Sequence, residues 1–189
     1  MIKKLTLALF LMCAAITSQA QEKKSGAQLF WDKLKQHAGN AYAGEIVSGE
    51  VAEMKGKALV MHVKTVSDTE IKIPFFVGDN KSRTWVLTLK DDRITLKHDH
   101  RHEDGSPDKV TMYGGTNSNA GSATTQVFPA DQETLDLINY AGTNIWWITL
   151  NDTAFTYNLR RIQSNTPITV KFDLTKKIES PGDPWGWKK

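Results

Sequence analysis

Cysteine is almost missing from this chain: among 189 residues there is one, Cys13, and it sits inside the apolar run Leu5 to Ile16. Beyond that run the chain can form no disulfide and offers no thiol nucleophile, so its stability must come from core packing and hydrogen bonds. A long apolar stretch is missing too. The Leu5 to Ile16 run falls short of the roughly 20 residues that span a bilayer, and nothing later approaches it. Neither sign of charge dominates, with 24 Lys and Arg against 21 Asp and Glu. That balance suits nucleic acid poorly, because a phosphate backbone is met by an excess of cations. Finally, no serine stands in a Gly-x-Ser-x-Gly setting, which removes the sharp elbow that presents a serine nucleophile.

What is present begins with an address. Lys3 and Lys4 precede the apolar run, and Ser18-Gln19-Ala20 places small residues at the spacing a signal peptidase reads. Residues 1–20 are therefore read as a signal peptide and the protein as secreted or periplasmic. Met12 precedes Cys13, where a lipoprotein signal requires a small residue, so Cys13 is apolar filler. Lys3 and Lys4 leave with the signal and no acid does, which lowers the formal net charge from +3 to +1. The remainder divides into one domain over 21–178 and a Pro- and Gly-rich, irregular tail over 179–189. No repeat or linker marks a second domain.

After a polar leader, residues 27–38 read as a short helix with Leu29, Phe30, Lys33, Leu34 and His37 near one face, stopped by Gly39. It is placed to cover an open apolar end. Period-two alternation then predicts strands over 42–48, 57–65, 70–77, 83–90, 93–102, 109–113, 124–128, 144–150, 154–161 and 168–174. The alternation is cleanest in Ile71, Ile73, Phe75, Val77 and in Ile168, Val170, Phe172, Leu174. Asp91-Asp92, Asp104-Gly105-Ser106-Pro107 and Asn151-Asp152 supply hairpin turns, and Tyr113 with Gly114-Gly115 reads as a strand end and tight turn. A second helix is predicted within 129–140, with an acidic first turn and an apolar set of Leu135, Leu137, Ile138 and Tyr140. The fold class is all-β with short helices, and closure into an antiparallel up-and-down β-barrel of about ten strands removes the open edges of a flat meander. A two-sheet sandwich is the alternative.

This arrangement resembles the lipocalin-like (calycin) barrels and their ten-stranded fatty-acid-binding relatives. Where lipocalins open with Gly-x-Trp, this chain has Gly39-Asn-Ala-Tyr42, with tyrosine and a different spacing. The resemblance implies that Arg160 or Arg161 stacks on that opening aromatic and that the barrel holds a small ligand. Separately, Ser82-Arg-Thr-Trp-Val-Leu-Thr88, Lys97-His-Asp-His-Arg-His-Glu-Asp-Gly-Ser106 and Met112-Tyr-Gly-Gly115 resemble phrases of an uncharacterised family of secreted bacterial proteins. This second likeness implies export and a single domain, and no activity.

The least routine stretch is Arg93 to Asp104, which holds three of the five histidines. On a strand, Ile94, Leu96, His98, His100 and His102 share a face, so the histidines continue an apolar stripe. Alternate strand residues are about 6.7 Å apart, whereas imidazole nitrogens on one metal ion lie within roughly 3.3 Å of each other. His98 and His100 can lean together that far; His102, about 13 Å from His98, cannot join both without a bulge. A metal site on His98 and His100 would need a third ligand from elsewhere, His62 or a carboxylate. Otherwise the histidines hydrogen-bond to neighbouring strands or line a polar cavity. Arg83 and Trp85 share the apolar face of their strand, Arg83 near a barrel rim. Trp185 and Trp187 are expected to dock on the outside of the domain and tie down the tail. The expectation is a non-enzymatic binding protein for a small, partly apolar ligand, with His98, His100, His102, Arg83, Trp85 and Tyr113 as contacts. The alternatives are a metal-binding protein or metal-dependent enzyme using His98 and His100, and a structural or partner-binding envelope protein.

Overall fold

The computed structural model describes residues 23–187, Gln163 and Asn165 excepted. The signal peptide read at 1–20 lies outside them. Helix α1 (Gly26–Lys35) is followed by β1 (Ala41–Ser48), β2 (Leu59–His62), β3 (Thr65–Val66), β4 (Glu70–Val77), β5 (Asn80–Lys90), β6 (Arg93–His100) and β7 (Tyr113–Thr116). Then come β8 (Thr125–Pro129), α2 (Gln132–Leu137), β9 (Asn144–Leu150), β10 (Ala154–Arg161) and β11 (Ile168–Ile178). All pairings are antiparallel, in the order β7-β6-β5-β4-β2-β1-β11-β10-β9-β8, with β3 beside β4. The sheet is an up-and-down meander nearly closed into a barrel, as the alternation and turn spacing require.

The inward positions form one apolar core. It contains Ile71, Ile73 and Phe75 from β4, Trp85 and Leu87 from β5, Ile94 and Leu96 from β6, Trp146 and Ile148 from β9, and Val170 and Phe172 from β11. Each such side chain is worth about 1.5–3 kcal/mol on burial, which substitutes for disulfides. One end is plugged by α1. Its cap is a reciprocal box between Ser25 and Gln28, and its buried residues are Ala27, Phe30, Trp31 and Leu34. The expected helix face is corrected here: Trp31 turns inward, with its indole N–H donating to the Ser67 carbonyl at 3.3 Å, while Leu29 is exposed.

At the sheet's two ends β7 meets β8, and glycine makes the meeting possible. A Cβ on Gly115 would lie 1.7 Å from the Pro129 carbonyl oxygen, and one on Gly114 would lie 1.9 Å from that of Leu96. The seam is fastened by Asp131 N–H donating to the Gly114 carbonyl at 3.0 Å. Thr134 donates its hydroxyl to the same carbonyl at 2.8 Å and accepts the Gly114 N–H at 2.7 Å. The strand expected at 109–113 is thus displaced to Tyr113–Thr116, because the glycines lie in the sheet rather than in a turn. Other boundaries shift as well. The strand expected over 57–65 divides into β2 and β3, and β6 stops at His100 rather than at residue 102.

The apolar set expected to bury α2 is largely outside: Leu135, Leu137 and Tyr140 are exposed, and the helix is anchored through Thr134 instead. Tyr42 takes no arginine. Its hydroxyl meets His37 Nδ1 at 2.8 Å, and Arg161 lies over Tyr140. The tail crosses the outer surface of the sheet. Ser180 Oγ meets His62 Nδ1 at 2.8 Å, Lys81 donates to the Pro181 carbonyl at 2.8 Å, and Trp185 N–H donates to the Lys81 carbonyl at 3.0 Å.

Gly115→Ala is expected to cost about 3 kcal/mol or more, since backbone rather than a flexible side chain must yield. Gly39→Ala, where a Cβ meets nothing within 4 Å, should cost only the left-handed strain of about 1 kcal/mol. Urea denaturation midpoints of the two variants, compared with the parent, check the contrast.

Candidate ligand site at the open end of the barrel

Antiparallel pairing brings all but one of the candidate residues together. Trp85 lies opposite His98 and Arg83 opposite His100 between β5 and β6, and His98 lies opposite Tyr113 between β6 and β7. His102 is the exception. Arg101 turns aside to pair with Asp99 at 3.0 Å and to bridge Pro107, which leaves His102 exposed in the turn.

His98 is buried at 3 % exposure, and both ring nitrogens are engaged. Nδ1 lies 3.0 Å from the Tyr113 carbonyl and Nε2 lies 2.7 Å from the Tyr157 hydroxyl. A carbonyl can only accept, so Nδ1 carries the proton and Nε2 accepts from the tyrosine. The ring stacks on Tyr113 with centroids 4.6 Å apart. Burial lowers the His98 pKa to about 3, against weaker support from the Tyr113 carbonyl, so the imidazole is neutral at ordinary pH. Trp85, 2 % exposed, stacks on Phe75 at 4.8 Å and on Tyr157 at 4.5 Å. Phe155 and Phe172 complete this cluster, 6.0 Å from one another. Aromatic side chains thus fill the middle of the barrel.

His100 lies one layer nearer the rim. Its Nε2 meets the Tyr113 hydroxyl at 3.2 Å. Burial lowers its pKa, and the neighbouring Arg83 guanidinium lowers it further. Burial raises the Tyr113 phenol to about 12. Arg83 donates to Asn80 Oδ1 at 3.0 Å and pairs with Glu53 at 2.5 Å. At neutral pH this layer therefore presents a guanidinium, a phenol and a neutral imidazole. The geometry does not make His98 and His100 a metal pair: His98 spends both nitrogens on protein partners, and Tyr113 contacts both rings. Among the described residues no group of three or more His, Cys, Asp or Glu could hold a metal ion.

A hollow at this end is linked to Arg83 through the Glu53 turn. Strand β2 pairs with β1 only as far as Gly44, opposite Leu59, while β1 continues to Ser48 against β11. The unpaired edge of β1 and the loop over 49–58 border an open hollow of about 520 Å³, lined by Gly44, Ile46, Val51, Met54, Lys57 and Leu59 among others. None of the six residues read from the sequence lines it. A single turn of 3-10 helix, Ala52–Met54, puts Met54 against the core and sends Glu53 to Arg83. The signal for this hollow was a ten-residue connection bounded by Gly49 and containing Gly56, both at positive φ, longer than the turns at Asp91-Asp92 and after Leu150.

No family model matches the chain, and no curated protein matches it. Among solved structures, a redesigned β-barrel, mFAP1, bound to DFHBI, is similar at 13% identity. The match covers 79% of this chain and 99% of that one, with a TM-score of 0.31. No described helix is long and apolar enough to cross a membrane.

His98 makes a pH dependence testable. Its unfolded pKa is the ordinary 6.5 and its folded value about 3, so between these the unfolded chain binds the extra proton. The stability His98 contributes is complete above pH 6.5 and is lost as the pH falls towards 3. The unfolding free energy of His98→Gln should therefore fall less steeply over that window, by up to about 1.4 kcal/mol per pH unit. Urea titrations of both proteins at several pH values measure the difference.

Proposed function

We propose that the chain is an exported, non-enzymatic binding protein that holds a small, partly apolar molecule at the open end of its barrel, in the hollow between β1 and the 49–58 loop. One observation carries the reading: β1 runs on past the end of β2, so an apolar wall of Ile46, Val51, Met54 and Leu59 borders open volume instead of a neighbouring strand. The volume, about 520 Å³, lies in the range of roughly 300–1,000 Å³ usual for small-molecule sites. The aromatic cluster around Trp85 fills the barrel's middle and leaves a ligand the hollow at its end. Arg83, His100 and Tyr113 stand outside its lining, and the Glu53 turn links Arg83 to the loop that covers it. Support for export comes from the signal pattern at 1–20, and for membership of the uncharacterised family of secreted bacterial proteins from the quoted phrases.

The probe is the neutral fluorophore phenylnaphthylamine. It is expected to bind saturably, one per chain, and Ile46→Trp, which fills the hollow from a partly covered strand position, should weaken binding at least about tenfold, the loss of roughly one buried side chain's contacts. Saturable binding that Ile46→Trp leaves unchanged, or no binding at all, rejects the site.

A further inference from the structure

The Glu53 carboxylate occupies a position that a ligand's acid group would suit. Arg83 is largely covered, its side chain 14% exposed, whereas that of its partner Glu53 is 52% exposed. A covered guanidinium left without an anion is costly, and its planar fork matches a carboxylate or sulfonate. Among the described residues Arg83 has no second anion in contact; its other partners are Asn80 Oδ1 at 3.0 Å and Ser82 Oγ at 3.4 Å, with neutral His100 opposite. Glu53 itself is supplied by the loop that covers the hollow. That loop leaves β1 at Gly49 with φ +72° and turns again at Gly56 with φ +71°. It rests on the barrel through Met54, which packs against the core, and through the Glu53 carboxylate. Lys57 adds a cation near Glu53 and also lines the hollow.

We infer that Glu53 is an internal stand-in for the ligand. The site takes an organic anion whose acid group displaces Glu53 from Arg83 while its apolar body enters the hollow beside Met54, and the exchange releases the 49–58 loop. One carboxylate replaces another on the same guanidinium, so the ion pair itself contributes little net free energy and apolar contact drives binding. A neutral molecule of the same shape enters the hollow and leaves the latch closed. This inference rests on the hollow being a binding site.

Two fluorophores that share one skeleton separate the two readings: anilinonaphthalene sulfonate, which carries the acid group, and phenylnaphthylamine, which lacks it. Glu53→Gln removes the competing carboxylate and should tighten the sulfonate at least about tenfold, the worth of one hydrogen bond to a charged group, while the neutral probe changes less than about twofold. Arg83→Gln should weaken the sulfonate by a similar factor and spare the neutral probe. Arg83→Lys, which keeps the charge without the fork, should lie between, and guards against a glutamine variant that folds poorly. The sulfonate alone should also speed tryptic cleavage at Lys55 and Lys57. If the neutral probe binds in the hollow but the sulfonate responds to neither Glu53→Gln nor Arg83→Gln, the displacement is wrong and the hollow stands. If neither probe binds the parent protein, both readings fall.

Discussion

The constraint on which the rest of this structure depends is the approach of two backbones at the β7 and β8 seam. A meander of this length closes only if its first and last members in space can come together, and here they do so with the Pro129 carbonyl seated where a side chain on Gly115 would stand. The seam fixes the circumference, and the circumference fixes which rings meet inside. Tyr113 begins the seam strand, and the pairing of that strand with β6 sets the phenol against His98 and His100.

Most of the wall was legible in the sequence, because period-two alternation records a half-buried strand directly. The strands β4, β9 and β10 have the bounds read from residues alone, and the inward direction of His98 follows from the apolar stripe it continues. Three things were not legible. Gly114 and Gly115 read as a turn, since the need for close approach across a seam leaves no mark that differs from the need for a bend. The partner of His98 is Tyr157, 59 residues away, and no local pattern pairs them. The hollow arises from where β2 begins relative to the end of β1, a register property that neither strand shows alone. His102 was misread for a simpler reason: the alternation persists in the letters after the strand has ended, because Arg101 finds its partners in Asp99 and the following turn.

The fill of the barrel divides the molecule functionally. From α1 to the Trp85 cluster the interior is mainly apolar, with the buried Asn117–Gln126 pair and His98 hydrogen-bonded within it, and this part is scaffold. Above it the layers change character within one strand repeat, from a neutral imidazole with both nitrogens engaged to a guanidinium held by an acid from a loop. The strand that looked most like a site thus supplies the boundary between scaffold and mouth. The groups that meet solvent come from its neighbours and from the connection between β1 and β2.

The pairing of β1 with β11, which joins Ala41 to Ile178, also sets an order of events. Every other rung of the ladder joins strands close in sequence, and a growing or threading chain can form those rungs as the residues arrive. The first strand must wait for the last. Until residues 168–178 are available the sheet is an open ribbon with two bare edges, and the long loop that this rung closes places the protein among those whose distant contacts make folding slow. The polypeptide therefore stays unfinished for nearly its whole length of synthesis, a delay built into the topology and independent of any single side chain.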